Sequence, residues 1–154
     1  MTPVAEPTQQ LILLIHAWAT LMMTGLIWFV QIVHYPLMSK VGSEGFIKYE
    51  ASHTRRTTTV VGPLMLIEAL AAGMILTPLI VLPSAHPTSI PIIAMILLVL
   101  IWLSTACIQV PAHQVLEKGF DPAAHRKLVN TNWIRTALWS VRSVLALSML
   151  FVTA

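Results

Sequence analysis

Four long apolar stretches, separated by polar segments, dominate the pattern of the chain. Each contains about 20 predominantly apolar residues, the length that a helix needs to cross the hydrocarbon core of a bilayer. The four windows are 11–33, 60–82, 90–110 and 133–152. The first and third hold no formally charged residue, the second holds only Glu68, and the fourth holds Arg135 and Arg142. The pattern predicts an all-α protein: an integral membrane four-helix bundle that forms one transmembrane domain over residues 1–154.

The polar segment between the first two windows also has helical periodicity. In "SEGFIKYEASHTRRTT", Phe46, Tyr49 and His53 follow one another at i, i+3 and i+7 and share one helix face. We therefore expect a short interfacial helix between spans one and two, with its aromatic face either on the bilayer surface or over the mouth of the bundle. The connection "PSAHPTSIP", short and rich in proline and serine, predicts a tight antiparallel hairpin between spans two and three.

Lysine and arginine outside the windows occur in only two segments. Seven lie between windows one and two and between windows three and four, whereas the N-terminal tail and "PSAHPTSIP" contain none. Because these residues are enriched in cytoplasmic loops, we expect both long loops in the cytoplasm and both termini outside, in a bacterial inner membrane. The tail has no basic start of the kind that signal peptides have, so we expect the first window to remain as a span.

Composition and charge support a membrane protein whose partner is the lipid bilayer. Of 154 residues, 56% are hydrophobic and 10% are charged, against about 45–50% apolar residues in soluble domains. The net charge is +3, but the basic residues form no patch interleaved with aromatic residues, so we expect no nucleic-acid partner. The single cysteine, Cys107, excludes an intrachain disulfide, and the oligomeric state stays open.

Polar side chains recur at helical spacing within the apolar windows. Asn132, Arg135, Trp139 and Arg142 follow one another at i, i+3, i+7 and i+10 on one helix face. At 1.5 Å per residue, Glu68 lies about 12 Å and Arg142 about 13.5 Å from the cytoplasmic ends of their windows. Since charges inside a bilayer face the bundle interior and pair, we expect Glu68 to pair with Arg142 or Arg135. Three more polar residues are assigned to this cluster, for substrate or for structure: Gln31, Arg56 and Gln109.

Histidine and acidic side chains concentrate near the predicted cytoplasmic ends of the spans. Imidazole and carboxylate suit zinc, iron or copper, and imidazole also ligates haem iron. The candidate ligands are His34, Glu50, His53, His113 and His125. Glu50 and His53 have the Glu-x-x-His spacing of di-iron bundles, in a single copy. The alternative is that these histidines cap helix ends and bind carbonyls or phosphates.

Two stretches resemble known membrane families. "VPAHQVLEKGFDPAAHRKLVNTNWIRTALWSVRSVLAL" resembles the C-terminal half of small four-helix membrane proteins that include the fungal anthrone oxygenases. The matching positions are Pro111, Leu116, Trp133, Arg142, Ser143, Val144 and Leu145. "IHAWATLMMTGLIWFVQIVHYPLM" and "HTRRTTTVVGPLMLIEALAAG" are similar in outline to bacterial membrane protoporphyrinogen oxidases. The second resemblance implies a bound haem.

Two functions from different classes are left open. The first is a membrane-embedded oxidoreductase-like protein, with a cytoplasm-side His/Glu site for a metal or haem and a lipid-soluble planar substrate. The second is a non-catalytic small carrier, channel or binding subunit that buried polar pairs hold together. Polar residues within a membrane indicate a functional site by default, but they do not distinguish between these classes.

Overall fold

The computed structural model of the protein describes residues 5–76 and 89–152, and this part is helical and contains no strand. Its α-helices are α1 (Ala5–Phe29), α2 (Tyr35–Met38), α3 (Ser43–Leu76), α4 (Ser89–Ser104), α5 (Val110–Leu116) and α6 (Pro122–Val152). Two π-helical turns, Val30–His34 and Thr105–Gln109, join α1 to α2 and α4 to α5.

Four continuous helical segments are long and apolar enough to cross a membrane. They are span one (Pro7–Met38), span two (Ser43–Leu76), span three (Ser89–Leu116) and span four (Pro122–Phe151). The predicted all-α four-helix bundle of an integral membrane protein is confirmed. The spans begin before the predicted windows or run past them, because the polar flanking segments continue the same helices. The predicted end of span two at 77–82 and the hairpin after it, at 83–88, lie outside the described residues.

The segment between spans one and two is helical, as predicted, but it is not a separate interfacial helix. It forms the first turns of span two, a 34-residue helix that continues through Pro63. No glycine or proline lies between Gly45 and Gly62, so nothing in the sequence ends the helix there. The aromatic face packs inward rather than on lipid, since Phe46 is 1% exposed and its ring lies 5.0 Å from that of Phe120.

Each π-helical turn ends two residues before a proline. Val30–His34 lies before Pro36, and Thr105–Gln109 lies before Pro111. A proline inside a helix cannot donate its hydrogen bond and clashes with the carbonyl four residues earlier, and a wider turn accommodates both effects. The extra residue in each turn rotates the following side chains by about 100° around the helix axis.

The two short connections, 39–42 and 117–121, lie at the same end of the bundle, which we call the loop end. Each contains a glycine with positive φ, Gly42 at 81° and Gly119 at 143°, a conformation that residues with a Cβ rarely adopt. Span four then begins with an N-cap. The amides of Ala123 and Ala124 donate to Asp121 Oδ1 at 2.8 and 2.7 Å.

Candidate functional site

A cavity of about 540 Å³ lies between spans two and three, with spans one and four behind it. Its deeper part is lined by large apolar side chains, including those of Met65, Trp102 and Trp139. Towards the loop end the lining becomes polar, with Tyr35, His53, Gln109, His113 and Arg135. Binding sites for small organic molecules have this size and this mixture of an apolar wall with a few polar groups.

A short hydrogen bond joins His113 to Glu50 at the polar end of the cavity. His113 Nδ1 lies 2.5 Å from Glu50 Oε1, and the Glu50 side chain is fully buried. An ionised carboxylate only accepts hydrogen bonds; opposite such a carboxylate, Nδ1 of His113 is the donor, and in the neutral tautomer that matches this contact Nε2 has the free lone pair. The second Glu50 oxygen, Oε2, is buried without a hydrogen-bond partner among the described residues.

His113 continues a hydrogen-bonded chain to which every span contributes one residue. The Tyr35 hydroxyl lies 3.2 Å from His113 Nε2, and Arg135 Nη2 donates to the same hydroxyl at 3.3 Å. Because a guanidinium cannot accept, the hydroxyl hydrogen of Tyr35 is free to point at His113. We call Arg135, Tyr35, His113 and Glu50 the polar chain; three of its members, Tyr35, His113 and Glu50, carry groups that can take up and release a proton.

Two further histidines stack beside the polar chain. The ring centroids of His34 and His53 lie 4.3 Å apart, and His53 lies 5.5 Å from the ring of His113. Tyr49 stacks on His53 at 9° and its hydroxyl lies 3.4 Å from His34 Nε2. The structure therefore brings together four of the five predicted metal ligands, and His53 and His113 line the cavity.

The predicted ligands are close together, but they are not arranged as a metal site. Within residues 5–76 and 89–152, no group of three His, Cys, Asp or Glu side chains could hold a metal ion. The rings of His34 and His53 stack on each other, and His113 and Glu50 bind each other. His125 lies apart, with Nε2 2.8 Å from the Tyr35 carbonyl oxygen. The metal or haem stays a prediction.

The polar stripe predicted on span four faces the bundle interior. Asn132 Oδ1 accepts from Arg135 Nε at 2.9 Å, and Asn132 Nδ2 donates to Gln31 Oε1 at 2.8 Å. Gln109 is buried as well and donates to the Thr131 hydroxyl at 3.3 Å. Arg56, which the sequence analysis assigned to the same cluster, does not join it, because its side chain is exposed and does not line the cavity.

The predicted ion pair inside the membrane is confirmed, and Arg142 rather than Arg135 is the partner of Glu68. Arg142 Nη2 lies 2.9 Å from Glu68 Oε1, and both side chains are fully buried. Thr20 of span one donates to the same oxygen at 2.8 Å, and Trp139 Nε1 donates to Oε2 at 3.1 Å. Trp139 also lines the cavity, so the ion pair supports its deep wall.

Three side chains that belong to this polar interior were not assigned to it from the sequence. His16 Nε2 lies 3.3 Å from Arg142 Nη2, and Thr20 bonds to Glu68. Both belong to a polar stripe on span one, in which Thr24 follows Thr20 at i+4. This spacing places the three side chains on one helix face, as the spacing on span four does for its polar residues. Tyr35 gave no such signal, because the π-helical turn before it changes the helix face on which it lies.

Comparison with protein-family models, with curated proteins and with solved structures gave no match to this chain. The resemblances to anthrone oxygenases and to membrane protoporphyrinogen oxidases therefore stay predictions.

Proposed function

We propose that this integral membrane protein is an enzyme that takes a lipid-soluble, mainly apolar molecule into the cavity and transfers a proton at its polar end. The observation that carries the proposal is the 2.5 Å contact between His113 and the buried Glu50 at the polar end of an otherwise apolar cavity. A histidine oriented by a buried carboxylate is a common general base, because the carboxylate selects the tautomer and stabilises the imidazolium that forms.

In this proposal each member of the polar chain has its own task. His113 Nε2 exchanges the proton with the ligand or with the Tyr35 hydroxyl, 3.2 Å away. Glu50 orients the ring through Nδ1. Arg135 holds the Tyr35 hydroxyl from the opposite side, with its own position set by Asn132. The surrounding apolar wall keeps the local dielectric low, which strengthens each of these contacts.

The position of the cavity favours a ligand that arrives from the bilayer. Trp102 and Val110 of span three line the cavity, and 43% and 44% of their surface is exposed, so the cavity is not closed off at this span. In an integral membrane protein this surface faces lipid, so the gap between spans two and three opens sideways towards dissolved apolar molecules. A planar ring system fits beside the indoles of Trp102 and Trp139.

The proposal also includes the orientation of the protein in the membrane and the class of the reaction. We place the loop end in the cytoplasm of a bacterial inner membrane, because the two long connecting segments carry seven Lys and Arg residues. An oxidoreductase reaction with a metal or haem is the class that we predicted from the sequence. The proton transfer described here does not depend on it.

The alternative is a non-catalytic carrier or binding subunit. One observation favours it: many of the buried polar groups, such as Gln31, Asn132 and Glu68, bond to other side chains. Such contacts are common between membrane helices that are only held together. In this case the cavity binds its ligand and releases it unchanged.

Mass spectrometry of apolar molecules bound to the purified protein distinguishes the two functions. Wild type, Glu50→Gln, His113→Asn and the control Glu44→Gln, which changes an exposed carboxylate outside the cavity, are purified from the same membranes. The molecule recovered from the Glu50→Gln and His113→Asn variants is then added to all four proteins, each freed of bound molecule.

An enzyme converts this molecule into a product of different mass or structure, and the two cavity variants do so at least about 100-fold more slowly, the usual contribution of general acid–base catalysis. Recovery of the molecule unchanged from wild type indicates a carrier. If no apolar molecule is recovered or bound by any of the four proteins, the proposed function is wrong.

A further inference from the structure

Arg135 is a buried cation in the wall of the cavity whose partners are neutral. Its side chain is 7% exposed. The guanidinium donates to Asn132 Oδ1, to the Tyr35 hydroxyl at 3.3 Å and to the Thr105 hydroxyl at 3.4 Å. The two hydroxyl contacts are long for charged donors, which usually lie 2.7–2.9 Å from an anionic oxygen.

None of the acidic side chains that the structure describes forms an ion pair with Arg135. Glu50 bonds to His113, and Glu68 pairs with Arg142. The other three acidic side chains that the structure describes lie towards the loop end, at exposed or partly exposed positions: Glu44, Glu117 and Asp121. Glu117 also lines the loop end of the cavity, where its carboxylate accepts a hydrogen bond from Thr54 at 3.0 Å rather than from Arg135. Glu50 does not contact Arg135 directly; His113 and Tyr35 lie between them in the polar chain.

Arg142, the other buried arginine of span four, differs from Arg135 because it has an acidic partner. It lies two turns further along span four, with a carboxylate at 2.9 Å. A buried charge without a counter-charge is costly, and a charged side chain inside a membrane protein usually faces a partner or a ligand pathway. Arg135 faces the cavity, so the missing negative charge can come from the ligand.

We infer that the ligand of this cavity is a lipid-soluble acid, a molecule with an apolar body and one anionic oxygen group, such as a carboxylate, that binds Arg135. This inference rests on the proposed function only in requiring that the cavity takes an apolar molecule. The anionic group lies next to Tyr35 and His113, which line the same end of the cavity as Arg135. The apolar body lies deeper, against Trp102 and Trp139.

The test compares two probes that share an apolar body and differ in charge: 1-pyrenebutyric acid and 1-pyrenebutanol. Wild type is placed in nanodiscs of phosphatidylcholine, and binding is measured by energy transfer from tryptophan to pyrene, since two indoles line the cavity. Empty nanodiscs correct for partition into lipid. We expect the acid to bind at least about tenfold more tightly than the alcohol, which is about 1.4 kcal/mol.

Variants show whether Arg135 causes this preference. Arg135→Gln should reduce the ratio of the two affinities to about one while the alcohol still binds. Arg135→Lys keeps the charge and should retain part of the preference, which preserves the test if the glutamine variant does not fold. Arg56→Gln is the matched control, because it removes an exposed arginine outside the cavity, and it should leave both affinities unchanged.

The outcomes separate this inference from the proposed function. Equal binding of acid and alcohol by wild type overturns the inference and leaves the cavity as a binding site for neutral apolar molecules. An acid preference that survives in Arg135→Gln also overturns the inference, because a group other than Arg135 then causes the preference. If neither probe binds wild type above the empty nanodiscs, both the inference and the proposed function are contradicted.

Discussion

Replacing Glu68 with glutamine removes a carboxylate that connects spans one, two and four directly and span three through Arg142. Glu68 of span two accepts from Thr20 of span one and from Arg142 and Trp139 of span four. Arg142 Nη1 in turn donates to the carbonyl oxygen of Ala94 in span three. Glutamine has nearly the same shape, so the change tests charge and hydrogen bonding rather than packing.

The expected loss of stability follows from these contacts. Four N–H and O–H groups point at the two oxygens of Glu68, and an amide replaces one oxygen by a donor. At least one buried donor then loses its acceptor, and Arg142 loses its counter-charge. Breaking a buried pair in this way costs about 3–5 kcal/mol, which for a chain of this length lowers the melting temperature by about 6–20 °C.

Thermal unfolding in a mild detergent, followed by circular dichroism, measures the effect. Glu44→Gln is the control, because it makes the same chemical change at an exposed position in the first turn of span two and should cost less than about 1 kcal/mol. The double variant Glu68→Gln with Arg142→Gln should lose less than the sum of the single variants. A melting temperature for Glu68→Gln equal to that of Glu44→Gln would refute the reasoning.

Two further predictions concern topology and metal. In a Cys107→Ala background, Ser43→Cys should react with a membrane-impermeant thiol reagent only after the cytoplasmic side is opened, and labelling from outside in intact cells contradicts the orientation. If the protein binds zinc, iron, copper or haem at the histidine cluster, His53→Ala and His113→Ala should each lower the bound amount measured by elemental analysis or by the Soret band. Full retention in both variants places the metal or haem elsewhere, and a wild type that binds none after reconstitution contradicts the metal prediction.

The sequence determined the architecture and one internal contact of this protein. Four apolar windows predicted four spans, because a helix of about 20 residues matches the bilayer core. Counting residues placed Glu68 and Arg142 at the same depth, because the rise of a helix is constant and a buried charge needs a partner. The spacing on span four also predicted which side chains face inward, since that helix is regular from Pro122 to Val152.

Only the tertiary structure decided how the functional residues meet. Arg135 and Arg142 lie on one face of span four, and sequence spacing alone leaves both as partners for Glu68. The arrangement of the neighbouring spans brings the Glu68 carboxylate next to Arg142, whereas Arg135 lines the cavity. The hydrogen bond between Tyr35 and His113 depends on two π-helical turns, each of which rotates the chain by about 100° relative to a regular helix. The cavity arises from the gap between spans two and three, a distance between helices that no pattern within a single helix encodes.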